Sequence, residues 1–363
     1  MIEMKKCMKI KRHGCWGGTP SLWRNVSLCL FIFTVVSCSV IDEDQSDCVE
    51  QAQVNYELRL VTNMTTELTT QMTTQTDIQL ASSLQQHLDD IFTDYAHDVD
   101  LSFYDTAGDS TRLQHDEHFM DANQASYALN LPMRHYMHLA TANILDNELV
   151  TLENDELCHK SQLCQVESDT INSHTTGLFT ARQPMEVLEG VNQDFNVHLY
   201  MANCAATLVI DPQGHSTEGL QVFTTGFATR FNICDSTYVF PTKRPIIRTN
   251  RVEIPDRGDE VGFCSVTFPS QEPGITRTVI ETEEPFIASA DEEALWEIRV
   301  YVPHENGTKD EYVLGIKEPI RAGQFKIIRV KMGENGEIIS ENPEVGVSVT
   351  LDWKPGGVYN PEF

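Results

Sequence analysis

From position 54 onward the chain is written in short runs of alternating apolar and polar residues, broken by turn signals. Val54, Tyr56, Leu58 and Leu60 alternate with polar neighbours, the period of a half-buried strand, which predicts a first strand over 54–61. Residues 62–76 are Thr-rich with little apolar content and read as a loop or an exposed strand. Leu80, Leu84, Leu88, Ile91, Phe92 and Tyr95 then recur at helical spacing and predict one amphipathic helix over 80–95. Strand alternation returns at Val99, Leu101 and Phe103, with a turn at 105–109, and again at Tyr127, Leu129 and Leu131 before Pro132. Positions 136–142 read as a strand, and 145–152 as a short helix or loop.

Beyond Pro184 the pattern is almost wholly β. Phe195, Val197, Leu199 and Met201 alternate, and an apolar run over 206–210 ends at the turn Asp211-Pro212-Gln213-Gly214. Short strand candidates follow at 220–223, 227–233, 238–240, 246–254, 262–268 and 276–280. Trp296, Ile298, Val300 and Val302 alternate up to Glu305-Asn306-Gly307, and 312–316 and 325–332 continue the series. The last strand carries Val345, Val347, Val349, Leu351 and Trp353. Many short strands with turns between them predict antiparallel sandwiches. A division falls between 182 and 183, because the Pro184 break precedes the long β series. It separates an N-terminal domain, 54–182, carrying the helix, from a C-terminal domain, 183–363.

The start of the chain follows another rule. Lys5, Lys6, Lys9, Lys11, Arg12 and Arg24 precede an apolar run that ends at Val35-Val36-Ser37-Cys38. The run is shorter than the ~20 residues of a membrane helix, and a small residue precedes the cysteine. Val35, Val36, Ser37 and Cys38 resemble a bacterial lipobox, so 1–37 reads as a lipoprotein signal peptide and Cys38 as the lipidated residue. Acyl chains on Cys38 hold a chain on a membrane without a spanning helix. An acidic tether follows over 38–53, in which Asp42, Glu43 and Asp44 fit either a surface-export signal or a plain solvated linker.

Charge narrows the partners. The 363 residues carry a formal charge of −28. Residues 1–37 hold six basic side chains and one acidic one, Glu3, so the processed chain carries 20 basic and 53 acidic groups, a charge of −33. Such a surface repels phosphate backbones, which excludes a nucleic-acid partner. Of the ten cysteines, Cys48, Cys158, Cys164, Cys204, Cys234 and Cys264 remain after processing and lipidation. They allow 15 pairings. Cys158 and Cys164, close in sequence, are the disulfide candidate, while Cys204, Cys234 and Cys264 read as buried apolar thiols.

Catalytic motifs are not found: there is no G-x-S-x-G, H-E-x-x-H, P-loop or G-x-G-x-x-G. His115-Asp116-Glu117-His118, with His135 and His138, is the densest cluster of metal-ligating types, yet it reads as a solvated loop. Cys158-His159 with Cys164 lacks a fourth ligand. No enzyme activity, cofactor or metal is expected.

Cys38 to Asp44 with Asp47-Cys48, together with 195–211 (FNVHLYMANCAATLVID), 226–240 (GFATRFNICDSTYVF) and the terminal GVSVTLDWKPGG, resemble FimB-type fimbrium anchoring subunits of Bacteroidales. The resemblance implies two transthyretin-like β-sandwich domains and a lipid anchor in the outer membrane. It also implies a surface-exposed place at the base of a type V fimbrium, with a fimbrilin of the shaft as partner. Val345, Val347, Val349, Leu351 and Trp353 then become a candidate exchange strand, the alternative being a plain edge strand. A polymerising shaft or tip fimbrilin and a surface glycan-binding lipoprotein are the competing readings.

Overall fold

The computed structural model describes residues 51–61, 82–84, 86–88, 91–92, 96–108, 110–119, 126–154, 156–189, 191, 193–241, 244–254, 258–271, 293–341 and 345–353. The protein is mainly β. Strands β1 (Gln51–Val61), β2 (Asp98–Asp105), β3 (Arg112–Phe119), β4 (Ser126–Pro132), β5 (His135–Ala142), β6 (Val150–Glu153), β7 (Gln162–Gln165), β8 (Thr170–Asn172), β9 (Phe179–Glu186) and β10 (Gln193–Met201) come first. After them come β11 (Cys204–Asp211), β12 (Gln221–Thr225), β13 (Arg230–Asn232), β14 (Thr237–Val239), β15 (Ile246–Arg248) and β16 (Asn250–Glu253). The series ends with β17 (Val261–Thr267), β18 (Trp296–Pro303), β19 (Lys309–Ile316), β20 (Phe325–Met332), β21 (Ile338–Ser340) and β22 (Val345–Trp353).

Four sheets result. The largest has the order β3-β2-β5-β9-β10-β1-β4, a second β16-β17-β11-β20-β21, a third β22-β19-β18-β12-β15-β8, and the smallest β14-β13-β7-β6. Strand β11 explains how the larger three assemble. Ala205 and Val209 on one face join the core of the seven-stranded sheet, with Leu101, Phe103 and Leu199. Cys204, Ala206, Leu208 and Ile210 on the other face join Trp296, Ile298 and Leu314 of the six-stranded sheet. The five-stranded sheet is therefore the middle layer, buried on both sides. That burial is why 204–210 is continuously apolar or small rather than alternating.

Strand β2 is buried at every position, although its sequence alternates. Its odd residues face the first core, while Tyr104 faces a third cluster formed with Leu139, Leu163 and Phe231. The small sheet thus covers the outer side of β2 and β5, and the polar residues of β2 are satisfied beneath it. Asp98 accepts from the Ile144 and Leu145 amides at 2.8 and 3.1 Å.

The expected division at 182/183 falls inside β9, which pairs with β5 along its length and with β10 at its start. Strand β10 in turn runs parallel to β1 from Val54↔Gln193 to Val61↔Tyr200. No linker interrupts the chain there. The expected helix is helical at 82–84 and 86–88, with Leu84, Leu88, Ile91 and Phe92 buried in the first core; Leu80 and Tyr95 lie outside the described residues. Residues 276–280 also lie outside them.

One sequence expectation is corrected. The His115-Asp116-Glu117-His118 run is not a loop but part of β3, the edge strand beside β2. It carries polar residues on both faces, so no apolar alternation marks it in the sequence. Of the two forms expected over 145–152, turns are found over 145–149 and lead to β6, with Asn147 Oδ1 accepting from the Leu149 and Val150 amides at 3.0 and 2.9 Å.

Candidate functional site

Two ends of the fold bear on assembly. At the N-terminal end, β1 lies between β10, parallel to it, and β4, antiparallel from Gln51↔Pro132 to Glu57↔Ser126. Arg59 sits within this strand opposite His198. At the C-terminal end, β22 is the edge of the six-stranded sheet. It pairs antiparallel with β19 from Ile316↔Val345 to Lys309↔Trp353, with a register shift between Lys309 and Glu311. The strand carrying Val345, Val347, Val349, Leu351 and Trp353 therefore pairs within its own chain, and Val345 is buried in the second core. Among the described residues no other strand pairs with β22, so one row of its backbone groups is open to a partner.

The lipobox residues Val35, Val36, Ser37 and Cys38, and the acidic Asp42, Glu43 and Asp44, lie outside the described residues. No helix among the described residues is long and apolar enough to cross a membrane.

The metal-ligating types are only partly brought together. The β period places His115 and Glu117 on one side of β3, and the register sets Asp100 of β2 directly opposite Glu117. His115 Nε2 is 2.5 Å from Asp100 Oδ2 and 3.7 Å from Glu117 Oε1, and one ligand atom of each residue lies within 4.8 Å of the others. Burial raises the Asp100 pKa, against the His115 hydrogen bond that lowers it. Asn154 Nδ2 donates to Asp100 Oδ1 at 2.9 Å. Asp116 belongs to the opposite side of the strand, where Gln114 Nε2 donates to it at 2.7 Å. His135 stands 3.5 Å from Glu186, and His138 is buried, stacked on Phe103. The contribution of Asp100 and Asn154 was not legible in the sequence, because both come from other strands and turns.

Cys158, Cys164 and Cys234 are all free thiols in this structure. The Cys164 thiol lies against Glu153, and the Cys158 thiol contacts Cys234 instead. Cys158 occupies a 3-10 turn (Cys158–Lys160), and Cys164 lies in β7, opposite Arg230 of β13. Cys204 and Cys264 are buried, as expected of apolar thiols, whereas Cys234 is only half-buried. Trp296 is fully buried, its Nε1 donating to the Glu318 carbonyl at 2.9 Å.

Residues 47–230 match the family model described as fimbrillin-A associated anchor proteins Mfa1 and Mfa2. The chain belongs to this family. No curated protein matches it. Among solved structures, the fimbrial anchor protein Mfa2 from Porphyromonas gingivalis is 10% identical, with 84% of this chain and 98% of that one covered and a TM-score of 0.46. A fimbrial assembly protein from Parabacteroides distasonis is 13% identical over 82% and 99% of the two chains, with a TM-score of 0.39. The tip fimbrial protein Mfa3 from Porphyromonas gingivalis, truncated at its C-terminus, is 11% identical over 84% and 100%, with a TM-score of 0.40.

Proposed function

We propose that this fimbrial anchor-family chain is a lipid-anchored structural subunit at the base of a type V fimbrium. It attaches the shaft to the outer membrane through lipid on Cys38 and helps limit shaft length. Its role is mechanical, with no catalytic step and no cofactor. The partner is a fimbrilin of the shaft. Strand pairing joins the two, main-chain hydrogen bonds supplying affinity and alternating side chains supplying specificity.

The observation that carries this reading, beyond the family match, is the position of β1. A polymerising fimbrilin of the rival reading loses its first strand to a protease, which opens an acceptor groove. Here the first strand is held by two ladders in the sheet interior, and its only basic residue, Arg59, is a paired ladder position. Keeping β1 keeps the expected lipidated end attached to the folded body. The glycan-binding reading asks for a platform of exposed aromatic faces; Trp296 is fully buried, and Tyr200 of β10 is the one aromatic among the exposed large apolar side chains of the described residues.

The outer side of β22 is the surface we assign to the shaft. Deleting residues 345–363 is expected to abolish co-purification of the shaft subunit while the protein stays in the membrane fraction. Retained capture overturns the strand-pairing role of β22.

The anchor itself is tested at Cys38. The Cys38→Ala chain is expected to leave the membrane fraction and to carry fimbriae into the medium, with mass spectrometry of the unaltered protein finding diacylglycerol on Cys38. Normal membrane retention of the variant sinks the anchor reading.

A further inference from the structure

We propose that Cys158 and Cys234 form a disulfide, a covalent cross-link between the turn that leads into β7 and the turn of the β13–β14 hairpin. The backbone holds these two turns together without help from sulfur. Gln162 and Asn232 are register partners, and Arg230 is the partner of Cys164. Beyond the ladder, the Ile233 amide donates to the Ser161 carbonyl at 3.0 Å, and Asn232 Nδ2 reaches the His159 carbonyl at 3.4 Å. Cys158 and Cys234 sit one step outside these bonds, as free thiols on neighbouring turns, and Cys234 is among the neighbours that raise the Cys158 pKa. Both belong to the cluster that packs under Tyr104 and Phe268.

The other described thiols are committed elsewhere. Cys164 lies against Glu153. Cys204 Sγ donates to the Phe268 carbonyl at 3.6 Å, and Cys264 contacts Thr207 across the β11–β17 ladder. Cys158 therefore has one thiol neighbour among the described residues, and it lies far along the chain rather than in the CHKSQLC segment.

Oxidation breaks two S–H bonds and forms one S–S bond. The two electrons and two protons pass to a disulfide donor, glutathione disulfide or a donor protein, which is released as two thiols. Cys234 is partly exposed and is the sulfur an oxidant reaches, while Cys158 is buried. Burial and the contact with Cys234 push the Cys158 thiol up to about 12. The bond so formed is a cross-link within the folded chain. It closes a long loop, the case in which restricting the unfolded chain stabilises most.

Oxidation in the cell rests on the export reading of the leader; the contact between the two turns does not. Two samples of the full chain separate them: protein recovered from the cell envelope, and purified protein refolded with glutathione disulfide. Both are denatured without reductant, alkylated with iodoacetamide and digested. The expected result in both is a cross-linked peptide pair joining Cys158 to Cys234, with Cys164, Cys204 and Cys264 alkylated. Reductant is expected to lower the unfolding midpoint by about 5–10 °C in the unaltered chain. It should leave the Cys158→Ser/Cys234→Ser chain unmoved. Alkylation of both Cys158 and Cys234 in the refolded sample, or a Cys158–Cys164 link, overturns the pairing. A link in the refolded sample alone overturns the oxidised state in the cell and, with it, bears against export.

Discussion

Lowering the pH from 7 to about 4 is expected to strip several kcal/mol of stability from the folded chain through two buried imidazoles. His138 is fully buried between β2 and β9, stacked on Phe103 at 4.3 Å, and its Nδ1–H donates to the Ser102 carbonyl at 3.0 Å. Burial depresses its pKa to about 4. His174 is depressed to about 4 by the same cause. Its neutral form is also locked by its neighbours. Asn203 Oδ1 accepts from the Leu178 amide, so Asn203 Nδ2 must donate to His174 Nδ1, at 3.2 Å. Gln165 Nε2 donates to the Leu149 carbonyl, so Gln165 Oε1 accepts from His174 Nε2–H at 2.5 Å. A proton on Nδ1 would face an N–H group.

Both folded pKa values lie below the unfolded value of about 6.5, so the unfolded chain takes up protons first. The stability is whole above pH 6.5 and is lost as pH falls towards 4. At 1.36 kcal/mol per unit, each imidazole accounts for at most about 3 kcal/mol. Asp100, whose pKa is raised, opposes the trend, because its folded form takes up a proton first. Urea unfolding at pH 7, 5.5 and 4.5 measures the slope, and His138→Phe is expected to remove close to half of it. A midpoint that does not move between pH 7 and 4.5 contradicts the account.

Replacing Arg299 with Met is expected to destabilise the protein by about 3–5 kcal/mol. Glu297, Arg299 and Tyr301 share one face of β18, and the register brings Glu311 of β19 opposite Tyr301. Arg299 Nη2 donates to Glu297 Oε2 at 3.0 Å and Nη1 to Glu311 Oε1 at 2.7 Å; the Tyr301 hydroxyl donates to the same Glu311 oxygen at 2.9 Å. The Arg299 and Glu297 side chains are 8% and 1% exposed. Burial works against the guanidinium charge, and the two carboxylates outweigh it, so the Arg299 pKa stays above its ordinary value.

Without Arg299, two carboxylates would face each other with little water, the arrangement in which breaking a buried pair costs most. Arg299→Lys should recover only part of the loss, since an ammonium cannot serve both carboxylates with a planar fork. Removing Glu297, Arg299 and Glu311 together in favour of apolar residues of similar volume should cost far less than Arg299→Met alone. Equilibrium unfolding of the three variants checks this. Equal losses for the single and triple replacements would mean that packing volume, not the stranded charge, sets the cost.

Most of the strands could be placed from local pattern because one face of a half-buried strand writes itself into every second residue. The period-two runs at 54–61, 99–103, 127–131, 195–201 and 296–302 all became strands. The signal failed where both faces are alike. Strand β3, RLQHDEHF, carries polar residues on both faces, so no apolar period marks it as a strand. In β2 the polar face is buried, which its alternation concealed, because the small sheet that covers it comes from distant positions.

Thiol neighbours are a related case. Nearness in sequence suggested Cys158 with Cys164, but neighbouring positions on a turn and a strand point to different surroundings. The β7–β13 register brings the turns that carry Cys158 and Cys234 side by side. The amino-acid order was sufficient for the class of fold, the acidic character and the family resemblance, since these are local or summed properties. Layer order, the burial of both faces of β11, the Asp100–His115–Glu117 grouping, the Arg299 network and the Cys158–Cys234 contact came from tertiary pairing. Each depends on residues far apart in the chain, whose meeting is set by register and sheet packing, and neither leaves a periodic trace along a single strand.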